Sequence, residues 1–325
     1  MPFPTRPTAK FAGMKNLMQS VPVLITWDVD PTPEVTVENK KAALVRAASL
    51  LSDLRIAGTF FVHARIAPVL ADEIRMLVAN GHEIGCHGLT HGDEEEYSSM
   101  PESMQRSYLT EATAILRQTA ERPIRSFRGP RVKTSAATQA ILEELGYLCD
   151  GSVCSQRVDL VSSNLINPGW IAAPRLPYHP RRDNPFRRGG RRLWVIPVSA
   201  AVAPFISSLL YVAGTGFMKM LFRTLLCESR RTGKPIVYLI HPFEFAPFTE
   251  PRPAKELSWL RKIKTHGLSI RSRFYEKNHE RRFAMNAELF RFMHSFADVR
   301  FMTVSRYVRE VLAEPPGESE ASCNR

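Results

Sequence analysis

Short apolar runs separated by helix-like segments constrain this chain more than any other feature. Residues 21–27 (Val-Pro-Val-Leu-Ile-Thr-Trp) form a continuous apolar run with its proline near the start, where a strand tolerates one. Further runs lie at 59–62, 82–87, 124–127, 147–150, 193–198, 236–240 and 299–302. Between them, residues 40–54 repeat apolar side chains at helical spacing, and a second helix is expected from near Pro68 to its stop at Gly81. Ser99 and Pro101 read as the start of a third helix reaching about residue 120, and Ser135 and Gly146 bracket a fourth. Strands spaced by helices predict a parallel sheet, open or closed into a barrel.

The chain has 325 residues, enough for one large α/β barrel. With 44% hydrophobic and 23% charged residues it is neither a disordered chain nor a disulfide-stapled miniprotein. The five cysteines show no metal-finger spacing and read as free thiols in a reducing compartment. No internal repeat is visible, and the expected organisation is an N-terminal arm (1–20), a single barrel (21–312) and a flexible tail (313–325).

The net charge of +12 favours anionic partners, whether glycans, phospholipid headgroups or nucleic acid. The start of the chain lacks an apolar export core, so the expected location is cytoplasmic. Residues 193–217 carry no charge and match the length of a bilayer span, but Pro197, Pro204, Gly214 and Gly216 interrupt them. The expectation there is a buried strand, a loop, and a helix from about 218 to 232, with contact at the inner membrane face as the alternative. The arginine-dense segment 181–192 reads either as a solvated loop or as a grip on phosphate or carboxylate.

Polar residues cluster just past successive strand runs, at the ends that converge on one face of a parallel barrel. Asp28 and Asp30 follow the first run, and His87 and His91 the third. Histidines four apart share one face of a helical turn and can chelate one ion. One carboxylate and two imidazoles leave coordination positions open, as catalytic metal sites require, and free the second aspartate to act as a base. Arg128 follows the next run, where it can neutralise an aspartate. Asp150 follows the fifth, and His241 the run at 236–240, where a histidine suits a general acid.

Taken in order, Asp28-Val-Asp30, His87-x3-His91, Arg128-Gly-Pro, Asp150-Gly-Ser and Ile240-His-Pro resemble the motifs of the polysaccharide deacetylase family, also called NodB-homology or carbohydrate esterase 4. The resemblance spans about residues 21–247, extending to about 312. It implies an α/β fold, a distorted parallel (β/α) barrel of about seven strands. It also implies Asp28 as catalytic base, Arg128 tuning that base, and His241 as the acid that protonates the leaving amine. Asp30, His87 and His91 would bind a divalent metal, zinc being typical of the family. Asp150 would support His241 or line the groove.

Val29 between the aspartates, Arg131 after Arg-Gly-Pro, and Glu244 after His-Pro depart from the commonest pattern. Val29 and Glu244 resemble a subgroup that includes some peptidoglycan deacetylases, ring-opening amidases and lipid-linked formamide hydrolases, and Arg131 stands where many members have an aromatic. The spacing leaves open which aspartate ligates the metal.

The implied activity is hydrolysis of a carbon–nitrogen bond other than a peptide bond, releasing an acyl group such as acetyl from an N-acylated glycan of the cell envelope. The alternatives are a deformylase or deacetylase of a polyprenyl-lipid-linked sugar, a hydrolase of a small cyclic amide, or a basic binding module without activity. No nucleic-acid motif accompanies the positive charge, so a nucleic-acid partner is not expected.

Overall fold

The computed structural model describes residues 20–155, 168–201, 203–248 and 276–313. The expected arm up to residue 19, the tail from 314 and most of the basic stretch 261–282 lie outside the described residues.

β1 (Val21–Val29) leads through α1 (Val37–Asp53) to β2 (Gly58–Val62), and a 3-10 segment (Ala64–Leu70) with α2 (Ala71–Ala79) leads on to β3 (Glu83–Cys86). α3 (Glu102–Ala120) precedes β4 (Ser126–Phe127), and α4 (Ala136–Glu144) precedes β5 (Cys149–Asp150). Next come α5 (Pro168–Ala172), β6 (Pro180–Arg181), β7 (Asn184–Arg188), β8 (Trp194–Val195), and the short pair β9 (Ala200–Ala201) and β10 (Ala203–Pro204). α6 (Ser207–Thr232), β11 (Ile236–Ile240), α7 (His279–His294), β12 (Val299–Phe301) and α8 (Val304–Tyr307) complete the described chain.

Seven strands lie side by side in the order β11-β1-β2-β3-β4-β5-β8, every neighbouring pair parallel, and β12 also pairs with β1. The sheet curls into a half-barrel of the expected α/β class. Residues between β8 and β11 bridge its gap, with Ser199 N–H on the Val237 carbonyl at 3.2 Å and Ile206 bridging Leu239.

All nine residues of β1 are buried, which explains its unbroken apolar run. Leu24 meets Phe61, Ile196 and Val237 inside the curl, while Val23, Ile25 and Trp27 face the helices. Inner positions on β1 are therefore even-numbered, and they end at Asp28.

Ser135 caps α4 through a full capping box with Thr138, as its sequence position predicts. Ser99 does not cap α3: Pro101 occupies that position, without a side-chain cap. α6 also corrects the expected start near 218, because it begins at Ser207 and absorbs a break at Gly214, whose φ is 82°. Leu210, Tyr211, Met218, Leu221, Phe222, Leu225 and Leu226 form its buried face. α6 has the length and hydropathy of a membrane span, with 39% of its apolar window buried.

The arginine-dense segment is an antiparallel hairpin, β6–β7, rather than an open loop. Arg181 pairs with Asp183, and Arg191 and Arg192 reach Glu143 at 3.3 and 3.7 Å, so three of its cations are already matched. Cys86, Cys149, Cys154 and Cys227 are free thiols.

Candidate active site at the strand ends

Asp30 lies one residue beyond β1, with Oδ1 3.1 Å from His87 Nε2 and 3.4 Å from His91 Nε2. One donor atom from each of the three residues falls within 4.8 Å of the others. His87 directly follows β3, and its Nδ1 sits 2.7 Å from the Arg128 carbonyl. A carbonyl only accepts, so Nδ1 carries a proton and Nε2 is the ring atom turned toward Asp30, free to ligate an ion once it has no proton of its own.

His91 arrives by a route the spacing did not foretell. Residues 87–91 do not form a helical turn: Gly88 has φ 79° and His91 φ 59°. The buried Glu95 carboxylate gathers this loop, accepting the N–H groups of Leu89, Thr90 and His91 and the Tyr97 hydroxyl, each at 2.7 Å. A Cβ on Gly88 would stand 2.5 Å from that carboxylate, so glycine is required there on two counts. The loop leaves the His87 and His91 ring centroids 5.1 Å apart. Glu95 was invisible in sequence because it stands in a run of four acids, none distinguished from the rest.

Asp28 faces the interior and meets Arg128 at 2.7 Å, their side chains 4% and 1% exposed. Arg128 also donates to Thr26 Oγ1 at 3.0 Å and to the Gly151 carbonyl at 3.2 Å, and its guanidinium lies over the Phe61 ring. Asp150 does not reach His241. It accepts from Thr134 Oγ1, Gln139 Nε2 and the Ser152 N–H, and Ser152 Oγ in turn accepts the Gly129 N–H. Its place is to brace the turn that carries Arg128, and burial raises its pKa.

Trp27 pairs with Ile240, so His241 emerges abreast of Asp28. His241 Nε2 is 3.5 Å from Asp30 Oδ2, and its Nδ1 is 3.2 Å from Glu244 Oε1. Ser207 and Tyr211 donate to the same Glu244 carboxylate at 3.1 and 2.9 Å. The sequence marked Glu244 only as a departure from a pattern; its position three residues past His241, across Pro242, was the available signal.

Burial opposes charge on His241, but Asp30 and the Glu244 hydrogen bond outweigh it and push the imidazole up to about 10. Burial likewise opposes ionisation of Asp30, yet His241, His87 and His91 together hold it well below the usual carboxylate range. His91 is lowered, chiefly by burial, while Asp28 and Asp30 raise His87 against the same burial. His63, just past β2, is 5% exposed, and burial with the neighbouring His87 and His91 lowers it to about 3.

The five motif residues before β5 fall within residues 17–149, which match the polysaccharide deacetylase family model. Within the chain, 108 residues are 31% identical to the chitooligosaccharide deacetylase of Sinorhizobium fredii, covering 33% of this chain and 46% of that protein. The match thus spans about half the length of that relative. A Mycobacterium smegmatis structure assigned as a polysaccharide deacetylase superposes with TM-score 0.61 at 20% identity, covering 90% of this chain and 91% of the other. The Puue allantoinase structure gives TM-score 0.54 at 18% identity, covering 90% of each chain. These two likenesses establish the fold. The match ends at residue 149, so His241 and Glu244 join the site through the fold and not through the matched segment.

Proposed function

We propose that this chain is a metal-dependent hydrolase that removes an acyl group, acetyl foremost, from an N-acylated sugar of a polysaccharide or glycoconjugate. Its working unit is the barrel of residues 21–312. The observation that carries the reading is the Asp30, His87 and His91 cluster with His241 3.5 Å from the far oxygen of Asp30. One carboxylate and two imidazoles, with His87 Nε2 already directed inward, suit a divalent ion, and zinc fits such donors best. Bound there, the ion would polarise an acyl oxygen and acidify water.

The chain's own residues divide the proton work. Asp28, oriented by Arg128, takes the proton of the attacking water. His241, oriented by Glu244, donates from Nε2 to the departing nitrogen. An ion on Asp30 would share that carboxylate and relax the hold on His241, bringing it closer to the pKa an acid needs near neutrality. Asp28 is 3% exposed, so bulk water competes little for it.

A lipid-linked acylated sugar is the second substrate class. Phe217 and Met220 favour it, being 37% and 56% exposed on α6 beside the exposed Arg223, a combination suited to an anionic membrane surface. The deciding experiment measures acetate or formate release by the zinc-loaded protein from chitooligosaccharides, a polyprenyl-linked acylated sugar and a cyclic ureide. Acetate release from the glycan, absent in His87→Ala and slowed about 10²–10⁴-fold in His241→Ala, is expected. Turnover of the ureide alone, or none of the three by a zinc-loaded protein, overturns the reading.

A further inference from the structure

The ladders place a fourth polar side chain in the layer that holds the proposed ion. Val29 pairs with Val62, and Val62 pairs with Cys86. One residue further along each chain, Asp30, His63 and His87 stand abreast. The backbone keeps this register past the strands: the His87 N–H bonds the Val62 carbonyl at 2.9 Å, and Ala64 N–H bonds the Gly88 carbonyl at 2.9 Å. Alternation along β2 puts Phe61 inside the curl, with Phe60 and Val62 facing the helices, so position 63 shares the inner side with Phe61.

His63 is 5% exposed, yet neither ring nitrogen has a hydrogen-bond partner within bonding geometry among the described residues. The Leu89 carbonyl, which accepts from the Arg65 N–H, favours a proton on the ring only weakly. A buried imidazole without partners costs stability, and an apolar side chain of similar size would avoid that cost. The tight trio remains Asp30, His87 and His91, with His63 outside it.

We propose that His63 is a positioning residue of this site, hydrogen-bonding the non-protein oxygen, of water or of the acyl group, at the open side of the ion held by Asp30, His87 and His91. The inference rests on the metal-site reading above. It assigns a role to the β2 strand end, which none of the sequence motifs covers. Groups that orient metal ligands in this way typically change metal affinity about 10–100-fold when removed.

The test is zinc affinity, measured by chelator competition on the metal-free full chain, for wild type, His63→Leu, His63→Gln and His87→Ala. Binding about 10–100-fold weaker in His63→Leu, with part of the loss recovered in His63→Gln, is expected. The metal-free His63→Leu protein should melt at or above the wild-type temperature, because no protein hydrogen bond is lost. A His63→Leu protein that melts lower and binds zinc as wild type does would have lost packing alone, and that overturns the proposal. If His87→Ala loses zinc while both His63 variants keep it, only the role of His63 fails. If wild type binds no zinc, the metal site itself fails.

Discussion

Arg128 and Asp28 are nearly dry, and removing one charge strands the other in the barrel interior. Arg128→Met is expected to lower the free energy of unfolding by about 3–5 kcal/mol, read from urea denaturation. Adding Asp28→Asn should restore a large part of the loss, because the stranded charge disappears; a double variant no better than the single one would contradict this account. His82 offers a separate test through pH. It accepts the Gly58 N–H at Nδ1 and lies 6% exposed, and burial lowers it from 6.5 to about 4. The unfolded chain therefore takes up a proton that the fold refuses. Stability from this group is complete above pH 6.5 and is lost as pH falls through about 4, amounting to about 3 kcal/mol. His82→Asn, which keeps an acceptor for Gly58, should flatten that part of the stability–pH curve, and identical curves would contradict the assignment. At this scale the sequence revealed which residue types stand at the strand ends. Their partners were not legible, since Glu95 and Glu244 act through contacts that no spacing rule encodes.

Among the elements, α6 departs most from its sequence reading. Gly214 holds φ 82° and ψ 168°, a region close to exclusive to glycine, and no atom lies within 4 Å of a Cβ built there. Gly214→Ala should thus cost backbone strain alone, about 1–3 kcal/mol by thermal or urea unfolding. An unchanged or raised stability would mean that the break relaxes into a continuous helix. The uncharged stretch 193–217 is shared among β8, β9, β10 and the first turns of α6, which is why its composition mimicked a span. The 87–91 loop shows the same limit in a smaller unit. Its histidine spacing matched a helical turn, but the positive φ at Gly88 and His91 and the carboxylate of Glu95 give it another shape with a similar result.

For the whole molecule, an ion held by Asp30, His87 and His91 would tie β1 to β3, because its ligands come together only in the folded chain. Zinc at 100 times its dissociation constant should stabilise the protein by about 2.7 kcal/mol. Differential scanning calorimetry is expected to show a higher melting temperature with zinc, reversed by a chelator and absent in His87→Ala. A zinc shift of equal size in His87→Ala would place the ion elsewhere.

The sequence by itself determined the parallel α/β class, because an apolar run such as 21–27, with no polar face to turn to water, has no stable place except between covered neighbours. It also determined that Asp28, Asp30, His87, Arg128 and His241 sit at strand ends, since each directly follows or closes an apolar run. Only the tertiary structure decided how these ends meet. The register of two parallel ladders sets Asp30, His63 and His87 side by side across as many as 57 positions of sequence. Register arises from packing the inner and outer faces together over the whole sheet, a long-range condition that no local pattern in the chain can specify.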